Sequence, residues 1–107
     1  MVAKQCVEEF SGNHFEEKIK SGVVIIDFFA EWCMPCLMMS PIVEEMCEKF
    51  KKVKFMKVNI DENQALAGKF DVMSIPTLIV FKNGKVAGRI TGALPSNVLE
   101  EKIKELL

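Results

Sequence analysis

The sequence has no tyrosine, one tryptophan, one histidine and no excess of either charge. Its 14 Lys plus Arg residues against 15 Asp plus Glu residues give a formal net charge of -1 with histidine neutral. A charge this close to zero argues against a nucleic-acid binder or a protein held on an anionic membrane. Long apolar runs are missing as well. A run such as Val23–Ile26 is far shorter than the roughly 18 residues of a membrane span, so no bilayer crossing is expected.

The composition is that of a folded globular protein, with 50% hydrophobic and 27% charged residues. A chain of 107 residues has the size of one domain, so we expect residues 1–107 to form one domain. We also expect the protein to be a monomer. The first ten residues include Lys4, Glu8 and Glu9 and lack the apolar segment of a secretory signal, which predicts a cytoplasmic protein. In that compartment, four cysteines favour redox or metal chemistry over a framework of structural disulfides.

Strand-like and helix-like apolar patterns alternate along the chain, which predicts an α/β arrangement. Val23–Phe29 is apolar on both faces, as in the interior of a sheet, and Asn83-Gly84 predicts a tight hairpin before an antiparallel edge strand. The predicted strands are 2–7, 23–29, 55–60, 77–81 and 86–90. The predicted helices are one capped by Ser11 or Asn13 that ends near 20, then 34–50 and 63–70, and one opened by Pro95 or Ser96 that buries Val98, Leu99, Ile103, Leu106 and Leu107.

Cys33 and Cys36 stand where a buried strand ends and an amphipathic helix begins. The first turn of a helix has unpaired N–H groups and the positive end of the helix dipole, and both stabilise a thiolate at Cys33. Cys36 lies about one turn further, close enough to form a small disulfide ring, and Pro35 stiffens this ring without removing a hydrogen bond. Cys33, at the exposed start of the helix, is therefore expected to attack a foreign disulfide, while Cys36, one turn inward and shielded, resolves the mixed intermediate.

The alternative for Cys33 and Cys36 is half of a zinc site, because C-x-x-C is also a spacing of metal ligands. Further ligands are not supplied: Cys47 lies roughly 16 Å along the same helix, and Cys6 and His14 belong to no second paired motif. Redox chemistry is favoured and no metal is expected. We interpret Cys47 as a small apolar core residue, Cys6 as structural with a regulatory thiol as the alternative, and His14 as a cap or surface residue.

Five motifs occur in order: D-F-F-A-E at 27–31, W-C-M-P-C at 32–36, K-V-N-I-D at 57–61, I-P-T-L at 75–78 and F-K-N-G at 81–84. Together they resemble the thioredoxin family from about Val23 onward. The resemblance implies the thioredoxin fold, a central mixed sheet of four to five strands with helices on both faces. It also implies a dithiol/disulfide electron carrier that reduces client proteins through Cys33 and Cys36 and contributes to cell redox homeostasis. Such a carrier is recycled by a thioredoxin-reductase-type enzyme and needs no cofactor besides its own disulfide.

Asp27 interrupts the apolar strand 23–29, where an unpaired carboxylate is costly and tends to stay protonated. One interpretation is a buried carboxyl group that is hydrogen-bonded for packing. The resemblance implies instead that Asp27 lies beneath the cysteines and exchanges a proton with the Cys36 thiol, through a water, as the mixed disulfide resolves. Lys57, in the next interior strand, is its expected companion, since an opposite charge offsets part of the burial cost. The alternative is a lysine that extends to the surface.

The Ile75–Pro76 bond is expected to be trans on frequency alone, because only about 5–6% of X–Pro bonds in folded proteins are cis. The resemblance implies the opposite, a cis proline that faces the disulfide and leaves the preceding backbone free to pair with an extended substrate. For Trp32, docking and plain packing are both open. The residues expected to form an apolar docking patch around the thiols are Trp32, Met34, Ile75, Pro76, Gly92 and Ala93.

Four apolar residues depart from the usual pattern of the family. Met34 replaces glycine, Leu37 replaces lysine or arginine, Phe29 replaces a frequent tryptophan, and Met73 replaces a polar residue. With Pro35, Met34 is expected to tune the redox potential, and the departures bear on the choice of reductase. Two other functions stay open. One is a thiol oxidase or isomerase of the same fold, which commonly has histidine between the cysteines; the other is a non-catalytic binding module, which two cysteines disfavour.

Overall fold

The computed structural model describes residues 5–107, in which five strands form one mixed sheet flanked by four helices. The α/β class predicted from the sequence is confirmed. The strands are β1 Glu8–Glu9, β2 Val23–Phe29, β3 Lys54–Asn59, β4 Thr77–Lys82 and β5 Lys85–Thr91. The helices are α1 Phe15–Ile19, α2 Met34–Lys49, α3 Gln64–Lys69 and α4 Ser96–Leu106. None of these helices is long and apolar enough to span a membrane.

The strand order is β1-β3-β2-β4-β5, which places β2 at the centre of the sheet. β3 runs parallel to both β1 and β2, whereas β4 runs antiparallel to both β2 and β5. The hairpin predicted at Asn83-Gly84 is confirmed: these residues have φ of 51° and 87°. Gly84 adopts this left-handed backbone at little cost because it has no Cβ. β5 is therefore the antiparallel edge strand that the sequence predicts.

Both faces of the sheet are covered, which explains why β2 is apolar at successive positions. Ile25 packs in a core with residues of α2 and α4. Its neighbour Ile26 faces the other way, into a core that contains residues of α1 and the partly buried residues of α3. Side chains two residues apart on a strand share a face, so Asp27 lies on the face that α2 covers.

The N-terminal elements differ from the expectation. Within the described residues the first strand is Glu8–Glu9 and not 5–7, and positions 2–4 of the predicted strand lie outside that part of the chain. Neither Ser11 nor Asn13 is the N-cap of α1. His14 takes that position with a left-handed backbone, and its side chain makes no capping hydrogen bond. A two-residue strand and a five-residue helix carry little periodic signal, which is why the pattern misplaced them.

The last helix begins where predicted, but only part of its predicted apolar stripe is buried. Leu99 and Ile103 are buried, while Val98 and Leu107 are exposed. Residues four apart lie on the same face of a helix, whereas Val98 is rotated by about 100° from Leu99. Leu107 follows the last helical residue. The expectation of five buried residues is wrong for these two.

Cys6 and Cys47 are joined by a disulfide, with Cα atoms 6.0 Å apart. Cys47 is buried on the apolar face of α2, as predicted for a small apolar core residue, but it is also a disulfide partner, which the sequence did not predict. Val7 and Cys47 pack in the same core, and Cys6 packs against that core. This contact brings Cys6 to the side of α2, and the expectation of redox or metal chemistry in place of structural disulfides is wrong for this pair.

Candidate active site

The first turn of α2 presents the two cysteines of the C-x-x-C motif. Cys33 is the N-cap residue, with an extended backbone at φ -92° and ψ 105°. Its backbone N–H donates to the Ala30 carbonyl at 3.2 Å, which closes the turn after β2. Pro35 lies within the first helical turn, where its missing N–H has no intrahelical partner to lose. Strand end, turn and helix start therefore fix the position of Cys33.

Cys33 and Cys36 form a disulfide, with Cα atoms 5.2 Å apart. The Cys36 backbone N–H donates to Cys33 Sγ at 3.2 Å, and the Leu37 N–H donates to the Cys33 carbonyl at 3.1 Å. One N–H of the first turn is thus aimed at the sulfur, which is the arrangement that stabilises negative charge at a helix N-terminus.

Both sulfur-bearing residues are buried to the same degree, at 4% exposed. The expectation that Cys33 is exposed and Cys36 shielded is therefore wrong for the disulfide form. The cause is packing: Ala30 joins the two cysteines in a small apolar cluster, against which three partly buried side chains from other parts of the chain pack. These side chains are Phe29, Ile60 and Ile75. The roles of the two cysteines must then be argued from their places on the helix.

The loop before β4 faces the disulfide through its backbone. The Ile75–Pro76 bond is cis, as the resemblance implies and against the frequency argument. Cys33 Sγ lies 3.9 Å from the Ile75 carbonyl oxygen. Gly92, with φ of 93°, donates its N–H to the Pro76 carbonyl at 2.9 Å. Ile75 therefore lies beside Cys33, and Gly92 is held to the next residue, Pro76.

Asp27 is buried at 5% exposed, and its Oδ1 makes no hydrogen bond to any described residue. If Asp27 were buried for its packing hydrogen bonds, this oxygen should have a partner, and it has none among the described residues. Burial raises the pKa of the Asp27 carboxyl from 3.8 to about 7, and the charge of Lys57 lowers it only in part. A carboxyl group with a pKa near neutrality is suited to accept and return a proton.

Lys57 is the residue that faces Asp27 in the parallel pairing of β2 and β3. Its ammonium group lies over the Phe29 ring, 5.5 Å from the centroid, and among the described residues no ion pair joins it to Asp27. The predicted position of Lys57 is confirmed, and its influence on Asp27 is electrostatic across the sheet. Lys57 is partly buried, so it is neither enclosed in the core nor a fully exposed surface lysine.

Trp32 is 69% exposed, which excludes a plain packing role in the core. Its Nε1 donates to Asp61 Oδ2 at 2.9 Å, and the Asp61 N–H in turn donates to Asn59 Oδ1 at 2.9 Å. Asn59 is buried at the end of β3. The sequence interpretation named neither residue, although both belong to the K-V-N-I-D motif, which was the available signal. The two residues hold the indole beside the cysteines.

Exposed apolar side chains surround the two cysteines. Of the predicted patch, Trp32, Met34 and Ala93 are exposed and Ile75 and Gly92 partly so, but Pro76 is buried. The expected surface role of the Pro76 side chain is therefore wrong. The exposed large apolar residues nearest in sequence to the motifs are Leu37, Met38 and Met73. Met38 also borders a groove of about 310 Å³, whose other lining residues are Met39, Ile42, Ala93, Leu94 and Pro95.

All four cysteines are paired with one another in this structure. In residues 5–107 no group of three or more His, Cys, Asp or Glu side chains is placed to hold a metal ion.

The chain is similar to known proteins in both sequence and structure. The Thioredoxin family model matches residues 6–105. A thioredoxin from Staphylococcus saprophyticus is 41% identical over 102 residues, covering 94% of this chain and 98% of the relative. One from Staphylococcus aureus is 43% identical over 94 residues, covering 87% and 90%. The crystal structure of oxidized mitochondrial thioredoxin 3 from Saccharomyces cerevisiae matches with a TM-score of 0.84 at 33% identity, covering 92% of this chain and 94% of that chain.

Proposed function

The chain belongs to the thioredoxin family, and from this premise we propose that Cys33 attacks client disulfides and Cys36 releases the reduced client. The protein is a protein-disulfide oxidoreductase and a dithiol/disulfide redox carrier. The observation that carries the assignment of roles is the Cys33 sulfur at the N-cap of α2, where the Cys36 N–H donates to it. We propose that residues 1–107 act as one domain and as a monomer.

The reaction is a pair of thiol–disulfide exchanges. The Cys33 thiolate attacks one sulfur of the client disulfide, forms a mixed disulfide and releases the first client thiolate. The Cys36 thiolate then attacks the Cys33 sulfur, the bond between Cys33 and the client breaks, and the second client thiol leaves. The client gains two electrons and two protons, and the protein returns to the disulfide form. A reductase must supply two electrons and two protons to begin again.

Asp27 acts in the second exchange as the group that removes the proton from the Cys36 thiol. Two observations support this role: Asp27 lies on the sheet face that α2 covers, and its pKa of about 7 lies near the working pH of most enzymes. Lys57 is a positioning residue, since its charge limits the rise of the Asp27 pKa from across the strand pair.

Clients dock on the apolar surface beside the cysteines. The exposed rings and chains of Trp32 and Met34, together with Ala93, supply apolar area, and the Ile75 carbonyl beside Cys33 Sγ offers a backbone acceptor to an extended segment. The Pro76 carbonyl contributes by holding Gly92. Methionine is flexible and polarisable, so Met34 suits clients of varied shape.

The partners we propose are oxidised client proteins and a reductase of the thioredoxin-reductase type. The cytoplasm is the proposed compartment, because a reductant of protein disulfides needs a steady supply of electrons, and cytosolic thiols are kept reduced. The exchange uses only the cysteines of the chain, so the proposal needs no further cofactor.

The reduction potential of the Cys33–Cys36 pair tests the direction of the reaction. We expect a value below about -250 mV, since the general value for thioredoxin, on which this expectation rests, is about -270 mV. Equilibration with glutathione or dithiothreitol buffers, followed by alkylation of free thiols, measures it. A value near about -120 mV, as in strong thiol oxidants, would contradict the reductase function and favour the oxidase. A Cys6→Ser, Cys47→Ser double variant is the control that isolates the catalytic pair.

Leu37→Lys should alter partner recognition more than thiol chemistry. Leu37 is 52% exposed beside the disulfide, where a cation favours the Cys33 thiolate by on the order of 1 kcal/mol at most. We expect turnover with a given reductase to change severalfold and reduction of a small aromatic disulfide to change less than twofold. Ser40→Lys, which adds the same charge at an exposed position further along α2, is the control. Equal changes in both assays for Leu37→Lys would show that position 37 acts on the thiol itself.

A further inference from the structure

The second disulfide lies far from the catalytic pair. Cys47 is 11 residues beyond Cys36 on α2, which at 1.5 Å per residue separates the two by roughly 16 Å. Direct exchange between the pairs within one molecule is therefore excluded by distance. Each pair gains or loses its two electrons independently, and nothing in the catalytic reaction needs the Cys6–Cys47 bond to open.

The Cys6–Cys47 bond is enclosed by packing. Cys47 is buried, and Cys6 is partly buried against the core that α2 and α4 share with the sheet. Thiol–disulfide exchange requires an attacking thiolate to reach one sulfur along the bond, so limited access slows reduction. The catalytic disulfide is also buried, but its surroundings are the exposed apolar surface on which clients dock.

Glu44 provides a second connection between α2 and the N-terminal segment, in this case by hydrogen bonds. Its two carboxylate oxygens accept the backbone N–H groups of Cys6 at 2.8 Å and of Val7 at 2.9 Å. Glu44 precedes Cys47 by three residues, so the two side chains are neighbours on α2. The carboxylate holds Cys6 in bonding position, and its negative charge repels an incoming thiolate.

We propose that Cys6–Cys47 is a redox-controlled covalent lock between the N-terminal segment and α2, which stays closed while Cys33–Cys36 cycles. Closing the lock forms one S–S bond and takes two electrons and two protons from the thiols. An incoming disulfide accepts them and becomes two thiols. That disulfide is a low-molecular-weight disulfide or the oxidised catalytic pair of another copy. Opening is the reverse exchange with a dithiol. The lock sets the stability of the fold and leaves client reduction unchanged.

Thiol mapping of the wild-type protein tests the order of reduction. The oxidised protein is treated with increasing dithiothreitol, the free thiols are alkylated, and the labelled cysteines are identified by mass spectrometry. We expect Cys33 and Cys36 to be labelled at least tenfold faster than Cys6 and Cys47, which should become fully labelled only after prolonged exposure to excess dithiothreitol. Labelling of Cys6 and Cys47 in the oxidised protein, or at the rate of the catalytic pair, overturns the proposal.

Removal of the lock should be visible as a loss of thermal stability only under oxidising conditions. A disulfide across 41 residues restricts the unfolded chain, and the Cys6→Ser, Cys47→Ser variant should lose on the order of 10 °C in Tm. In excess reductant the variant and the wild type should agree within a few degrees. The same loss in both conditions would mean that side-chain packing, not the bond, is responsible. Insulin reduction by this variant should stay within twofold of wild type.

Glu44→Gln tests the second connection. The variant keeps one acceptor oxygen but loses the charge, so the Cys6–Cys47 bond should be reduced at least threefold faster while the catalytic pair is unaffected. Glu48→Gln is the matched control, since Glu48 is an exposed carboxylate one residue beyond Cys47 that pairs with Lys51 and makes no hydrogen bond to Cys6 in the described residues. If both variants speed the reduction equally, general charge on α2 is responsible and the specific role of Glu44 is wrong.

Discussion

Replacing Cys36 with serine should turn the protein into a covalent trap for its clients. The variant keeps Cys33 at the N-cap of α2 and retains the first exchange, but it lacks the thiol that breaks the mixed disulfide. We expect insulin reduction to fall at least a hundredfold, while complexes joined through Cys33 accumulate and disappear on addition of reductant. Non-reducing gels followed by mass spectrometry of the linked peptides measure this outcome.

Cys33→Ser is the matched control, since it removes the partner sulfur and leaves the rest of α2 intact. It should lose activity to the same extent and trap no client. Capture by Cys33→Ser instead of Cys36→Ser would reverse the two roles. The comparison matters because exposure does not distinguish the cysteines in the disulfide form, as both are 4% exposed. Only their places on the helix separate them.

The centre of the fold was predictable because its signals are local. β2 is apolar on both faces over Val23–Phe29, and two-sided burial follows from that pattern alone. The hairpin at Asn83-Gly84 needs left-handed backbone at two residues, and this residue pair accepts it. The N-terminal strand was not predictable in the same way. Glu8–Glu9 is a strand because β3 pairs with it, and its own sequence carries no alternation.

The part of the candidate site that was predictable is the part within the first turn of α2, which holds both cysteines. The C-x-x-C spacing and the strand before it place the disulfide, but the burial of Cys33 depends on Ile60 and Ile75, which come from elsewhere in the chain. The indole contact of Trp32 with Asp61 is of the same kind, since 29 residues separate them. Contacts between distant segments leave no periodic signal in one sequence.

The Cys6–Cys47 disulfide shows where reasoning from composition fails. Four cysteines in a protein expected to be cytoplasmic favoured redox or metal chemistry over structural disulfides. That argument depends on the compartment alone and makes no use of where the cysteines lie in the fold. The bond depends instead on the 6.0 Å Cα separation that core packing imposes on residues 41 apart in sequence. The predicted apolar burial of Cys47 is confirmed, but the pattern of one helix does not identify what packs against it.

Asp27→Ala should stabilise the protein at pH 8 and not at pH 4.5. The pKa of Asp27 is about 7 in the folded protein and near 3.8 when unfolded, so between these values the folded state binds more protons than the unfolded state. The free energy of unfolding of the wild type therefore falls as pH rises from about 4 to about 7, by on the order of 4 kcal/mol, and is level above that. The variant lacks this slope. Denaturant unfolding of both proteins across this range measures the difference.

The net gain at pH 8 should be about 3 kcal/mol, because the cavity left by the carboxyl group offsets on the order of 1 kcal/mol. At pH 4.5 the folded carboxyl is neutral but the unfolded one is already largely ionised, which costs the wild type on the order of 1 kcal/mol. This offsets the cavity cost, so the two proteins should be about equally stable at that pH. Asp27→Asn separates the two contributions, since it keeps most of the volume and cannot ionise. A variant as pH-dependent as wild type would show that another group titrates in this window.

Asp27→Ala should also slow the release of reduced clients. Without a carboxyl group to take its proton, the Cys36 thiol must rely on solvent, and we expect the second exchange to slow at least tenfold at pH 7. In the wild type this rate should rise with pH through about 7, following ionisation of Asp27, and the variant should lose that inflection. Stopped-flow decay of a preformed mixed disulfide resolves the step. An unchanged rate together with the predicted stability gain would show that Asp27 destabilises the fold but does not take the proton from Cys36. The Cys36 thiol would then lose its proton to solvent.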